Sequence, residues 1–237
     1  MNFITGKKLL LMIMPSPPMY GKVLICDPVD SIMIDKLKDK FYIFGGVKGL
    51  VRDGNDLRKE LLEKRPDIVF ITISPEQVDG MKEFIEDPFE MNLSDYEILY
   101  GINLSNYGEV MTPSPIYIEA TKYCKENNIE MIGLDMDENQ YQKTYSKYVK
   151  TTDLLRHSIR KKKISRYKFN VDTPEEFVEV WNDVVDLKSF KKVNATRERY
   201  IIDRIDELQK EYEDKKIVCI IDYDYYNEVL KHFEEKH

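Results

Sequence analysis

Short apolar runs recur along this chain, and amphipathic stretches separate them. That alternation is the rhythm of βαβ units, which bury their strands in a mostly parallel sheet and lay helices over its faces. The candidate strands are Lys8–Met14, Lys22–Cys26, Phe41–Phe44, Asp67–Ile73, Glu97–Ile102, Glu130–Leu134 and Lys216–Ile221. Several are apolar nearly throughout, as strands covered on both faces are. The expected fold is therefore α/β, a mostly parallel mixed sheet of about six or seven strands with helices on both faces. One domain is expected over residues 1–237. Residues 1–40 read as an N-terminal strand or hairpin addition, and 41–237 as the core.

Helix boundaries are marked by capping residues. Asn55 is positioned to cap a helix carrying Leu57, Leu61 and Leu62, which Pro66 ends by disfavouring helical backbone before it. Ser114-Pro115 reads as N-cap and first helical residue. Thr173-Pro174-Glu175-Glu176 is a capping box, opening a helix with Phe177, Val180, Trp181 and Val184 on one stripe. The longest helix is expected from Ala195 to about Asp214, capped by Asn194, with Ile201, Ile205, Leu208 and Tyr212 against the sheet.

Composition narrows the function classes. The net charge of -7 argues against a nucleic-acid binder driven by counterion release. The three cysteines are widely spaced, so neither a zinc knuckle nor a disulfide framework is suggested, and Cys26 and Cys219 read as buried thiols. Of the three histidines, His232 and His237 lack the i, i+4 spacing of a helical zinc pair, and His157 stands beside a basic run. The apolar run Leu9–Met14 is stopped by Pro15 far short of the ~20 residues a spanning helix needs. The expectation is a cytoplasmic protein with no membrane span, and a homo-oligomer stays open.

In a parallel sheet, ligands collect beyond the carboxyl ends of the strands. Three candidate strands end there in carboxylates: Asp27 and Asp30, Asp135 and Asp137, Asp222 and Asp224. Oxygen ligands of this kind suit Mg²⁺ or Mn²⁺, so Asp135, Asp222 and Asp224 form one alternative metal set. Asp is also common at strand ends because it makes turns and caps helices. Gly45-Gly46, following a strand, offers a tight backbone turn over a ligand. Between Arg156 and Lys168 there are seven basic residues and no acidic one. Such a run is usually a solvated helix face; the sharper alternative is that Arg160, Lys161, Lys162 and Lys163 dock an acidic protein partner.

Four segments in order resemble the TraB/PrgY family, related to the Tiki-type and erythromycin-esterase/ChaN-like hydrolase folds. Phe41-Tyr42-Ile43-Phe44-Gly45-Gly46-Val47-Lys48 is similar to the family's first strand and its Gly-x-x-His turn. Arg65-Pro66-Asp67-Ile68-Val69-Phe70-Ile71-Thr72 is similar to its helix-to-strand step ending in Glu. The segment from Glu119 to Asp135 resembles a helix and strand ending in Asp. Arg197-Glu198-Arg199-Tyr200 with Ile217–Tyr225 resembles the late Arg helix and closing strand. The resemblance implies an EreA/ChaN-like core over 41–237 and a His/Glu metal-hydrolase site whose key residues are here replaced. Lys48 stands for the first His, Thr72 for the Glu and Tyr225 for the second His, with Asp222 and Asp224 in place of glycines. A protonated Lys has no lone pair to give a metal.

The reading that results is a non-catalytic binding or regulatory module with no cofactor. Its ligand, a small anion, would sit over Gly45, Gly46, Lys48, Glu119, Asp135, Arg197, Glu198, Asp222 and Asp224, with Lys48 and Arg197 supplying charge for a carboxylate or phosphate. The alternatives are a Mg²⁺- or Mn²⁺-dependent hydrolase on the strand-end aspartates and a structural subunit docking through 156–168.

Overall fold

The computed structural model describes residues 33–38 and 40–235, with side chains from residue 40 onward. Its elements run β1 (Met33–Lys38), β2 (Phe41–Gly46), α1 (Val51–Lys64), β3 (Ile68–Ile71), α2 (Pro75–Glu86), α3 (Asp95–Leu104), α4 (Pro115–Asn127) and β4 (Glu130–Gly133). They continue with α5 (Glu138–Tyr148), α6 (Thr151–Ile164), α7 (Pro174–Val185), α8 (Lys188–Glu211), β5 (Ile217–Asp222) and α9 (Tyr223–Glu234). The strands form one sheet of order β1-β2-β5-β3-β4. Strands β2, β5, β3 and β4 run parallel, and β1 pairs antiparallel with β2.

The sheet has five strands among the described residues, where six or seven were expected. Lys8–Met14 and Lys22–Cys26, with Asp27 and Asp30, lie outside the described residues. Glu97–Ile102 is not a strand but most of α3. Ser94 Oγ accepts from Glu97 N–H while the Glu97 carboxylate accepts from Ser94 N–H, a reciprocal cap that starts a helix.

Side-chain alternation sorts the sheet into two buried faces. Phe44, Val69, Ile71, Val218 and Ile220 point to a core closed by α1, α2 and α4. Phe41, Ile43, Ile68, Phe70, Ile217, Cys219 and Ile221 point to the opposite core, closed by α8 and α9. Every residue of β3 and β5 is buried, as the apolar runs implied. A third cluster, built on Val47, Leu50, Leu104, Phe177, Val178 and Trp181, ties α3, α6 and α7 together.

Several boundaries differ from the sequence reading. Helix α1 starts at Val51, so Asn55 lies exposed inside it, Leu57 and Leu61 are buried, and Leu62 faces out. Its last residue is Lys64, and Arg65 before Pro66 takes left-handed backbone (φ 48°) with its N–H on Leu61 O. Thr173 does cap α7, but Glu176 receives the Asp172 N–H instead of the Thr173 N–H. The buried stripe of α7 includes Val178 and Val185 in place of Val180 and Val184. Helix α8 begins at Lys188, because Asn194 gives its side chain to Asp186 and does not cap.

Candidate functional site

The parallel register places the four β-strand exits at one edge. Gly46 of β2 lies opposite Asp222 of β5, and Ile71 of β3 lies opposite both Ile220 of β5 and Gly133 of β4. Lys48, Thr72, Asp135 and Asp222 follow or end those strands, so they share the carboxyl edge where open α/β sheets bind ligands.

The turn that carries Lys48 is held on both sides. The buried Asp53 accepts the Val47 N–H at 2.7 Å, and Ser114 Oγ accepts the Gly49 N–H at 3.1 Å. Met111 N–H donates to Gly49 O, and Gly49 itself has φ 99°, a left-handed conformation that favours glycine. Burial raises Asp53 above the usual carboxylate range, against the opposing pull of the Val47 N–H and Arg52.

From this turn Lys48 Nζ reaches 2.8 Å from Asp224 Oδ2 and 3.6 Å from Asp222 Oδ2. The Tyr117 hydroxyl, from α4, lies 2.8 and 2.7 Å from the two Asp222 oxygens. The Asp222 N–H donates to Thr72 Oγ1 at 2.8 Å, and Asn182 of α7 donates to Asp224 Oδ1 at 2.7 Å. Two carboxylates close to one ammonium carry an excess negative charge in a poorly solvated place. Burial would lower Lys48, but Asp224 and Asp222 outweigh it and hold the ammonium well above its ordinary value. Burial, opposed by Lys48 and reinforced by Asp224, pushes Asp222 up to about 6. Asp224 is also penalised by burial, yet Lys48 and Asn182 keep it below the usual range. Burial and the neighbouring Asp222 charge raise Tyr117 well above the ordinary phenol value, so its hydroxyl stays a donor.

Beside this group, Arg197 of α8 grips Asp135 with Nε, 3.3 and 3.1 Å from the two oxygens, and with Nη2 on Oδ2. Asp135 is buried and also accepts the Met136 N–H at 2.8 Å. The guanidinium lies 5.6 Å from the ring centres of both Tyr141 and Tyr225. Lys48, Asn182, Asp186, Arg197, Glu198 and Asp224 line one cavity of ≈ 360 Å³.

The sequence candidates therefore divide. Lys48, Asp222 and Asp224 meet directly, Asp135 meets Arg197, and Glu198 lines the same cavity. The partner of Arg197 is Asp135 across the sheet edge and not its neighbour Glu198. Glu119 pairs with Lys122 along α4 and does not join the group. Gly45 and Gly46 are the last residues of β2, not a turn over a ligand. A Cβ on Gly45 would stand 2.5 Å from the Tyr226 ring, and one on Gly46 3.2 Å from Ile116, so both are packing glycines. Tyr117 and Asn182 complete the site without any sequence signal.

A metal reading finds little support in this geometry. Among the described residues no group of three His, Cys, Asp or Glu side chains is placed to hold an ion. Asp135 is turned to Arg197, while Asp222 and Asp224 share the Lys48 ammonium, so side-chain cations stand where a divalent ion would. At the three positions the resemblance assigns to His, Glu and His, Lys48 binds carboxylates, Thr72 accepts a backbone N–H and Tyr225 lies against Arg197. These residues do not fit the metal of the hydrolase pattern.

The remaining candidates sit elsewhere. His157 is stacked between Tyr96 and Phe190, and His232 contacts Asp206 at 3.1 Å; His237 lies outside the described residues. Cys124 and Cys219 are both buried, and burial pushes Cys124 up to about 12. Arg160, Lys161, Lys162 and Lys163 lie on α6, where Lys161 pairs with Asp95 of α3. Among the described residues no helix is long and apolar enough to cross a membrane. Compared with known proteins, the chain matches no protein-family model and no curated protein.

Proposed function

We propose that this chain is a binding or regulatory module, a TraB/PrgY-like α/β domain without the hydrolase chemistry, whose cleft takes a small anion. One observation carries the reading: Lys48 and Arg197, each held by carboxylates, line one cavity. Lys48 has three N–H donors and a side chain 40% exposed. Arg197 has five, and those on Nη1 have no protein acceptor among the described residues. A carboxylate or phosphate is the group that such donors bind best. The cavity of ≈ 360 Å³ is of small-molecule size. Clamping by Asp135 and Asp224 preorganises both cations, so little side-chain entropy is lost on binding.

Thermal unfolding of chelator-treated protein with acetate, sulfate and inorganic phosphate, beside Mg²⁺ and Mn²⁺, tests this. An anion at a hundred times its dissociation constant stabilises by about 2.7 kcal/mol, a rise on the order of 5–10 °C for a chain this long. The expected result is a rise with an anion that Lys48→Met reduces. A rise with Mg²⁺ or Mn²⁺ alone, lost in Asp222→Asn, would replace this reading with the metal-dependent hydrolase on Asp135, Asp222 and Asp224.

A second reading, docking of an acidic protein partner, is favoured by α6. Leu155 and Ile159, one turn apart, are 63% and 75% exposed, and the exposed Arg156, Lys162 and Lys163 share the helix with them. Aliphatic contact framed by cations suits an acidic surface with an apolar strip. Retention on a polyglutamate matrix at low salt, despite the net charge of -7, is the expected behaviour. Equal retention of the Lys162→Glu/Lys163→Glu variant would remove this reading.

A further inference from the structure

The cavity beside Arg197 is lined by carboxylates as well as by cations. Asp186, between α7 and α8, accepts the Asn194 amide at 2.6 Å. Glu198 stands one helical turn beyond Asn194 on α8, so Asn194 and Glu198 share a face of that helix. Asp186, Asn194 and Glu198 all line the cavity. The other carboxylates there are matched: Asp224 by Lys48 and Asn182, and Asp183 by Lys191. Asp186 and Glu198 differ, because among the described residues no cation lies within ion-pair distance of either one.

The cost of that arrangement shows in both groups. Burial raises Asp186, with the charge of Asp224 adding to it, and the Asn194 amide recovers only part. Burial likewise raises Glu198, and Glu228 adds to it. A protonated amine placed between them would satisfy both, with charge-assisted hydrogen bonds to the carboxylates. Lys48 and Arg197, with donors beyond those on their carboxylates, line the same cavity.

We propose that the cavity binds a small zwitterion, its carboxylate or phosphate held by Lys48 and Arg197 and its ammonium held by Asp186 and Glu198. The inference rests on the anion-site reading and extends it to a ligand class: an amino acid or a similar amino-bearing acid. A lining of both signs selects against molecules with one charged end. A plain acid leaves the two carboxylates unmatched, and a plain amine leaves the remaining donors of Lys48 and Arg197 unused. Groups left unpaired in this way favour the ligand that matches both, because a partly buried partner loses water without gaining a bond.

The experiment is isothermal titration with a graded series of ω-amino carboxylates, from glycine to 6-aminohexanoate, and with phosphoethanolamine. Each is compared with the alkyl carboxylate and the alkyl amine of matching length. One or two lengths are expected to bind at least about tenfold more tightly than their matched carboxylate, the length reporting the distance between the cations and the carboxylates. The Asp186→Asn/Glu198→Gln variant is expected to erase that advantage while binding the plain carboxylates at least as tightly as the native protein does. If amino carboxylates and carboxylates bind alike in the native protein, the zwitterion proposal fails and the anion site stands. If the variant keeps the advantage, the amine is held elsewhere and the proposal also fails. Absence of binding by every compound at millimolar concentration, or tightest binding by the amines, would overturn both readings.

Discussion

Asp222 is the residue whose charge the cleft controls most closely. It is 3% exposed, it faces Lys48, Asp224 and Tyr117, and burial raises it to about 6. An unfolded Asp titrates near 3.9, so on acidification the folded state takes up this proton first. The sign follows: stability from this group is greatest below about pH 4, declines as pH rises through 4 to 6, and is constant above. The span amounts to at most about 3 kcal/mol. Urea unfolding of the native protein and of Asp222→Asn across this window should differ in slope, the variant being flatter. Parallel pH profiles would show that Asp222 is ionised throughout and that Lys48 fully compensates it.

The helices and strands show where local sequence governs and where tertiary contact overrides it. Strands β2, β3 and β5 were legible because burial leaves almost no polar residue in them, as Ile217-Val218-Cys219-Ile220-Ile221 shows. In Glu97–Ile102 the same apolar density misled. There Tyr96, Leu99 and Tyr100 pack on the Phe177 and Trp181 cluster at helical spacing, and Ser94 with Glu97 carried an overlooked capping signal. Asn194 failed as a cap for a different reason. Asp186 outcompeted the helix backbone for its amide, a contact that no local window reveals. Strand β1 was missed because Met33–Lys38 mixes charge with apolar residues and, among the described residues, pairs with β2 alone. The site divides along the same line: Asp135, Asp222 and Asp224 were readable from their places after strands, and Lys48 and Arg197 from the family resemblance. Tyr117 and Asn182 come from helix surfaces, brought to the edge by contacts far apart in sequence.

At the scale of the molecule, strand order sets where stability is concentrated. Strand β5 lies between β2 and β3, hydrogen-bonded on both sides and covered on both faces. The amides most resistant to opening belong to such a strand. Hydrogen exchange should therefore find the slowest amides in Ile217–Ile221, exchanging only through global unfolding, with β4 at the sheet edge faster. Faster exchange in β5 than in β4 would contradict this distribution. The parallel strand exits also explain why one cleft gathers side chains from α4, α7, α8 and α9: each helix either leaves or crosses that edge.

Among the described strands, the central one is synthesised last. While the ribosome is still adding residues before Ile217, β2 and β3 have each been made but lack the neighbour that lies between them. Each presents an open flank of unpaired amides and carbonyls, the kind of flank that recruits strands from other chains. The nascent chain must keep those two flanks apart for most of its elongation and then admit β5 between them. Such closure brings non-local pairing late and slows folding. Holdase chaperones that shield exposed strands would act on this chain before release, and its yield in a cell would depend on them more than its finished core suggests.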